Sequence, residues 1–298
     1  MSRILYNTGK WEGVMDNPKY QAIRTKILNS FNRLIFIEEG HKYFLDGVQM
    51  TCVSDVTHMF QEHFDSETQA VATSERNWDN PSSKYYHMTP EEILILWKNI
   101  SNEACSTGTE RHEFGESCFY YMTRQYDKIL PDFKDRLLED GGFLAIEPKE
   151  EAVVRFYEDI PNSIVPILAE TKVYSTEYKY SGTFDILFYY DATLDNKPEE
   201  KSGLIVMDWK TNKDLYKNFK GKTLLQPFDS LLDMPLSIYK LQLSLYQICL
   251  EIIGLKVIAR RILWLKPDGT YTKINLEEYT NILRETLGNM QLVPKTHN

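Results

Sequence analysis

The stretches SGTFDILFYY (181–190) and GLIVMDWK (203–210) decide the fold. Each is an apolar, β-branched and aromatic run of strand length, and the polar segment 191–202 between them reads as the turn of a hairpin. Each also carries a carboxylate inside the run, Asp185 in the first and Asp208 near the end of the second. An isolated carboxylate is expensive to bury unless it is paired or bound to a cation. Alternation along a strand puts Asp208 and Lys210 on one face. If the two runs pair, Asp185, Asp208 and Lys210 converge, either as a metal site beside an ammonium or as a buried Asp–Lys salt bridge.

Working outward, ILAETKVYS (167–175) reads as a strand before this hairpin, and KVIARRILWL (256–265) as one after it. An Asp268-Gly269 turn and YTKI follow, then a terminal helix from about Leu276. A long amphipathic helix is predicted from about Leu236 to Ile253, stopped by Gly254. On the N-terminal side, Asp16-Asn17-Pro18 opens a helix to about Asn32. LIFIEE, HKYFL and VQM form strands around Gly40 and an Asp46-Gly47 turn, and residues 53–62 a short helix. Residues 63–88 read as a polar surface loop. Thr89-Pro90-Glu91-Glu92 starts a helix, a second helix starts near Ser106 or Thr107, and another follows Pro148. The fold class is therefore α/β: a small central mixed β-sheet flanked by helices. The expected division is a helix-and-hairpin extension over 1–104 and a core over 105–298, together one compact unit.

Composition sets the bounds. The 298 residues are 42% hydrophobic and 26% charged, which excludes a mainly disordered chain. With 43 acidic and 34 basic residues, the net charge of −9 is unlike the basic balance of most nucleic-acid-binding domains. An enzyme can still hold an anionic substrate in a local groove. The four cysteines, Cys52, Cys105, Cys118 and Cys249, make no Cys-x-x-Cys pair. An even count permits two disulfides, but a long, Cys-poor chain fits reduced thiols in a cytoplasmic compartment. The start MSRILYNTGKWEG lacks a signal-peptide core, and no run approaches the roughly 18–20 apolar residues of a membrane span.

Three further pieces lie in order around the hairpin. Gly108-Thr109-Glu110-Arg111-His112 precedes it, Glu170 sits on the strand before it, and Gln242-Leu-Ser-Leu-Tyr246 follows it on the long helix. Gln242 and Tyr246 share a helix face. Alone, a helix histidine or a Gln/Tyr pair is unremarkable. In the order Gly-Thr-x-x-His112, Glu170, Gly-x-x-Asp185, Asp208-x-Lys210, Gln242-x-x-x-Tyr246, the chain resembles the PD-(D/E)XK nuclease superfamily. More narrowly it resembles the RecB-type branch, which includes phage exonucleases, the CRISPR-associated four-cysteine nucleases and the mitochondrial genome maintenance exonuclease. The resemblance covers about residues 105–265, and HKYFLDGVQMTCVSDVTHMF is similar to the leading hairpin and helix of phage-type members.

The resemblance implies a restriction-endonuclease-like core and a metal-dependent deoxyribonuclease, phage or mobile-element encoded, serving recombination, repair or replication. It implies catalytic Asp185, Asp208 and Lys210. Metal ligation falls to His112, Asp185, Asp208 and the carbonyl of Trp209. Gln242 and Tyr246 support the site and contact the DNA, and Glu170 matches an acidic position. Phe184 stands where the family name has Pro, and Asp208 fills a slot often held by Glu. The cofactor implied is Mg²⁺, with Mn²⁺ substituting. An iron–sulfur cluster is not expected, since only Cys249 lies beyond Tyr246. The implied partner is DNA, as single strands or ends, with a helicase or recombination protein to unwind it and no membrane. A structure-specific or single-strand endonuclease and a non-catalytic DNA-end-binding protein are the alternatives. Lys213, Lys217, Lys220, Lys222, Arg260 and Arg261 are candidate phosphate contacts. Tyr85, Tyr86, Tyr120, Tyr121 and Trp209 are candidate stacking platforms.

Overall fold

The computed structural model describes residues 3–293. Strand β1 (Arg3–Tyr6) comes first. The Asn17 side chain then accepts the Lys19 amide at 3.0 Å, Pro18 fills the first helical position, and α1 (Pro18–Phe31) follows. Strands β2 (Leu34–Ile37), β3 (Lys42–Leu45) and β4 (Val48–Cys52) form an antiparallel meander. Its second turn has Asp46 at φ 51° and Gly47 at φ 82°, the paired left-handed residues of a two-residue hairpin. Helix α2 (Val53–His58) closes this part.

Next are α3 (Ser66–Asn77), α4 (Pro90–Met122), β5 (Gly142–Ala145) and α5 (Pro148–Asp159), the last opened by a reciprocal capping box of Glu147 and Glu150. The remainder runs β6 (Ile164–Ser175), β7 (Tyr180–Tyr190), β8 (Gly203–Lys210), α6 (Pro235–Ile252), β9 (Val257–Leu265), β10 (Tyr271–Leu276) and α7 (Thr280–Gly288).

The described residues up to Gln61 and from His112 onward form one compact unit, and Glu62–Arg111 form another. The division falls within α4 and not at 104/105. The N-terminal hairpin groups with the later strands because β4 pairs in parallel with β7, Thr51 with Tyr180 and Cys52 with Ser181.

The larger unit is α/β with a mixed eight-stranded sheet, ordered β10-β9-β8-β7-β4-β3-β2, with β6 along the other edge of β7. Helix α6 packs across β6 to β9, α1 against β6, and α5 against β9, β10 and the small β1–β5 pair. Strands β7 and β8 are antiparallel from Ile186–Met207 to Tyr190–Gly203, while β8 and β9 are parallel. The core is continuous, and its largest fully buried side chains include Trp209, Tyr157, Tyr180 and Phe188. Among the described residues no helix is long and apolar enough to cross a membrane.

Three expectations are corrected. Residues 63–88 are not simply a loop, because Asp65 accepts the Thr68 amide at 3.0 Å and starts α3. That helix buries Ala70, Thr73 and Ser74, small residues that leave no apolar period to read. No helix begins at Ser106 or Thr107, since α4 runs through them. Thr109 hydrogen-bonds back to the Cys105 carbonyl at 3.1 Å, so its hydroxyl is satisfied inside the helix and caps nothing. His112 is therefore well inside a helix and not at its positive end. The terminal helix begins at Thr280, because Leu276 is still paired in β10 opposite Arg260.

Candidate metal centre

The sheet forks at β7. Its one edge is taken by β6 along its length. Its other edge is shared, with β4 holding Tyr180 and Ser181 and β8 holding Ile186 to Tyr190. Between them, no described strand pairs with residues 182–185 on that edge. Asp185 stands at this fork. Its Oδ2 accepts the Trp209 amide at 2.7 Å, so a side chain continues the ladder where the β7 backbone leaves it.

The other candidates gather at the same point. His112 Nδ1 is 3.1 Å from Asp185 Oδ2. Glu170 falls across from Asp185, because its neighbours Ala169 and Thr171 pair with Ile186 and Phe184. Its φ of 41° is a left-handed conformation that is costly for Glu, and such strain concentrates where a side chain must be aimed. One ligand atom each from His112, Glu170 and Asp185 lie within 4.8 Å of one another. Asp208 and Lys210 share a face of β8 as alternation requires, with Lys210 Nζ 2.6 Å from Asp208 Oδ2. The buried Asp208 carboxyl therefore already has a cationic partner. An imidazole and two carboxyl groups gathered this closely make a donor set of the kind that holds a divalent cation.

The charges in this group act strongly on one another. Burial would raise the Asp185 carboxyl, but His112, a hydrogen bond with Asp208, and Lys210 hold it well below the usual range. Burial and Asp185 push Asp208 up to about 8. The two carboxyls are thus coupled, with Asp185 holding its charge more firmly than Asp208. Burial also pushes Glu170 well up, reinforced by Asp185 and Glu116. Burial works against a charge on His112, yet Asp185 outweighs it and raises the imidazole. Lys210 is likewise raised against burial, mainly by Asp208 and Tyr239, whose ring lies 4.3 Å from Nζ.

The helix motif borders this centre. Gln242 Nε2 donates to Tyr246 Oη at 3.4 Å. Tyr246 packs so closely on β7 that a Cβ at Gly182 would stand 2.9 Å from its ring. Two residues with no part in the motif reading belong to the surroundings. Glu116 is one turn after His112 on α4 and accepts from Tyr120 Oη at 2.9 Å, and Tyr239 is the neighbour of Lys210. The spacing of 112, 116 and 120 marks a single helix stripe, which was the available signal for Glu116.

Two cavities flank the centre, each about 540 Å³. The first is lined by Glu170, Tyr120 and three cationic residues, Arg24, Lys128 and Lys172. The second is lined by Tyr239, Gln242, Asn212 and Lys217. Several other candidates are corrected. Trp209 is 1% exposed, with its ring against Phe156 and Tyr157, so it is no stacking platform. Tyr121 is buried too, and its hydroxyl donates to the Gly141 carbonyl at 2.5 Å. Arg260 is turned inward onto Gln247, Leu276 and Glu278 and is not a phosphate contact. Cys52, Cys118 and Cys249 are buried and Cys105 is exposed, all as free thiols.

Compared with known proteins, the chain matches no family model and no curated protein.

Proposed function

We propose that this protein is a divalent-cation-dependent DNA exonuclease of the PD-(D/E)XK type, hydrolysing phosphodiester bonds at DNA ends or in single strands. In this reading it is phage or mobile-element encoded, acts in the cytoplasm, and serves recombination, repair or replication. One observation carries the reading: Asp185, Asp208 and Lys210 converge where β7 and β8 part, within reach of His112 and Glu170. A structural salt bridge alone accounts for Asp208 and Lys210. It does not account for His112, Glu170 and Asp185 gathered in the same spot, nor for strained backbone at Glu170.

His112, Glu170, Asp185 and Asp208 would hold the cation, which when bound lowers the pKa of a water and neutralises charge on the phosphate oxygens. Asp185 does two jobs, as ligand and as the clamp on the Trp209 amide that fixes β8 beside it. Lys210 keeps its proton, so it acts as a fixed positive charge that orients the scissile phosphate and the attacking water. The first cavity supports an anionic backbone. Arg24 there is half-buried, donates to the Ile167 carbonyl and forms no ion pair among the described residues, while Lys128 and Lys172 line the same space. Local cations of this kind let an acidic protein hold DNA without a basic surface overall.

The test is cleavage of 5′-labelled, 3′-labelled and circular DNA, single- and double-stranded, with Mg²⁺, Mn²⁺ or EDTA. Linear DNA is expected to shorten from an end with either cation and to remain intact in EDTA. Cutting of the circular strand would move the protein to the endonuclease form of the same chemistry. An intact substrate under every cation would overturn the proposal.

A further inference from the structure

The second cavity is lined by Gln242 and Tyr239 but by none of His112, Glu170, Asp185, Asp208 or Lys210. It lies among α2, the loop over 211–234 and the start of α6, and its volume of about 540 Å³ is that of a small-molecule site. One wall is Tyr239, whose ring also sits 4.3 Å from Lys210 Nζ. A phosphate drawn to Lys210 would therefore have its neighbouring nucleoside one ring away.

The two cavities differ in charge. The first carries three cations, whereas the second has Lys217 and a single acid, Asp233, which already accepts from Gln61 Nε2 at 2.6 Å. The rest of the second lining is uncharged and able to read a ring edge. Asn212 Oδ1 accepts the Tyr239 hydroxyl at 2.8 Å, which fixes the amide and leaves its NH₂ group facing no described acceptor. His58 lines the cavity from α2.

A stacking surface completes the lining. Phe219 is 63% exposed, yet the loop that carries it is firmly held. Leu215, Leu224 and Phe228 anchor the loop in the core, and Leu225 donates to the Phe60 carbonyl at 2.7 Å. Asn218 donates to the carbonyls of Lys222 and Asp233, both at 2.8 Å. A largely exposed aromatic ring on an anchored loop, with Lys220 Nζ over it at 5.1 Å from its centroid, has the chemistry of a platform for a base and its phosphate.

We infer that this cavity is a nucleobase subsite, taking the base of the nucleotide next to the scissile phosphate, with Phe219 stacking on its face and Asn212 and His58 at its edge. The inference rests on the nuclease reading. Its test is single-turnover cleavage of single-stranded oligonucleotides in which one abasic residue is stepped past the cut position. Cleavage is expected to slow about tenfold when the abasic residue flanks the cut on one side, the size of one lost stacking contact. Phe219→Ala should slow the intact substrate by a similar factor and lose the abasic penalty at that position. Its melting temperature should be unchanged, because the ring is exposed. His58→Ala, which removes an edge contact only, should reduce base preference and keep the stacking penalty. Equal rates at every abasic position, or an undiminished penalty in Phe219→Ala, would overturn the subsite while leaving the nuclease reading in place. No cleavage of any DNA would overturn both.

Discussion

Asp208→Asn and Lys210→Ala are each expected to lower DNA cleavage by about a hundredfold or more, with the protein still folded. The loss follows from the roles proposed, since a preorganised charge at the reacting phosphate is typically worth 10²–10³ in rate. The expectation of a sound fold needs its own argument, because removing one partner of a buried ion pair commonly costs about 3–5 kcal/mol. Here the pair is coupled to Asp185. Burial and Asp185 push the Asp208 carboxyl up to about 8, so its neutral isostere Asn costs less here than at an ordinary buried carboxylate. When Lys210 is lost, Asp208, already raised by burial and by Asp185, can take up a proton and need not bear an unpaired buried charge. Rates measured on labelled DNA, beside thermal unfolding of each variant, separate the effects. Wild-type rates in either variant would remove both residues from the chemistry, and unfolding would show the pair to be structural.

Gly115→Val is expected to have the largest effect on stability. Gly115 lies inside α4, where Gly is about 1 kcal/mol worse than Ala for the helix itself. A Cβ there would stand 2.6 Å from Trp209 Nε1 and 2.9 Å from Cε2. The indole cannot retreat, because it is 1% exposed and wedged against Phe156 and Tyr157, with ring centroids 5.2 and 6.2 Å away. Tyr157 also donates to the Gly115 carbonyl at 3.0 Å, which ties the helix to α5 at the same point. Overpacking of this kind costs about 1–3 kcal/mol or more, and a melting temperature lower by several degrees is expected. His112 is one turn away, so a displaced helix should weaken metal binding as well. An unchanged melting temperature would mean that α4 approaches β8 less closely than described.

The sheet was legible where patterns are strong. The runs holding Asp185 and Asp208 are strands with the expected pairing, and Asn17-Pro18, Asp46-Gly47 and Thr89-Pro90 mark real boundaries. The strand pair β1–β5 was not legible, because its partners are far apart in sequence and only four residues long. Helix α3 was hidden by its own composition, since it buries Ala, Thr and Ser. In the centre, ordered motifs pointed to His112, Glu170, Asp185, Asp208 and Lys210, and alternation alone put Asp208 beside Lys210. No pattern along the chain could show the fork in β7, which depends on β4 and β8 sharing one edge. Trp209 was misjudged for the opposite reason. An aromatic ring beside candidate catalytic residues suggests a platform, but alternation turns it to the face that packs on Gly115.

Calorimetric titration of Mn²⁺ into the wild type and into His112→Ala, Glu170→Gln and Asp185→Asn tests the metal centre most directly. Manganese is the appropriate probe for a site with one imidazole and several carboxylates. The wild type should bind Mn²⁺ with release of protons, and each variant should bind it at least about tenfold more weakly. In His112→Ala, cleavage lost at low metal should return in part as Mn²⁺ is raised, as expected of a ligand and not of a general base. No binding by the wild type, or binding that all three substitutions leave unchanged, would contradict the assignment of these residues to a metal centre.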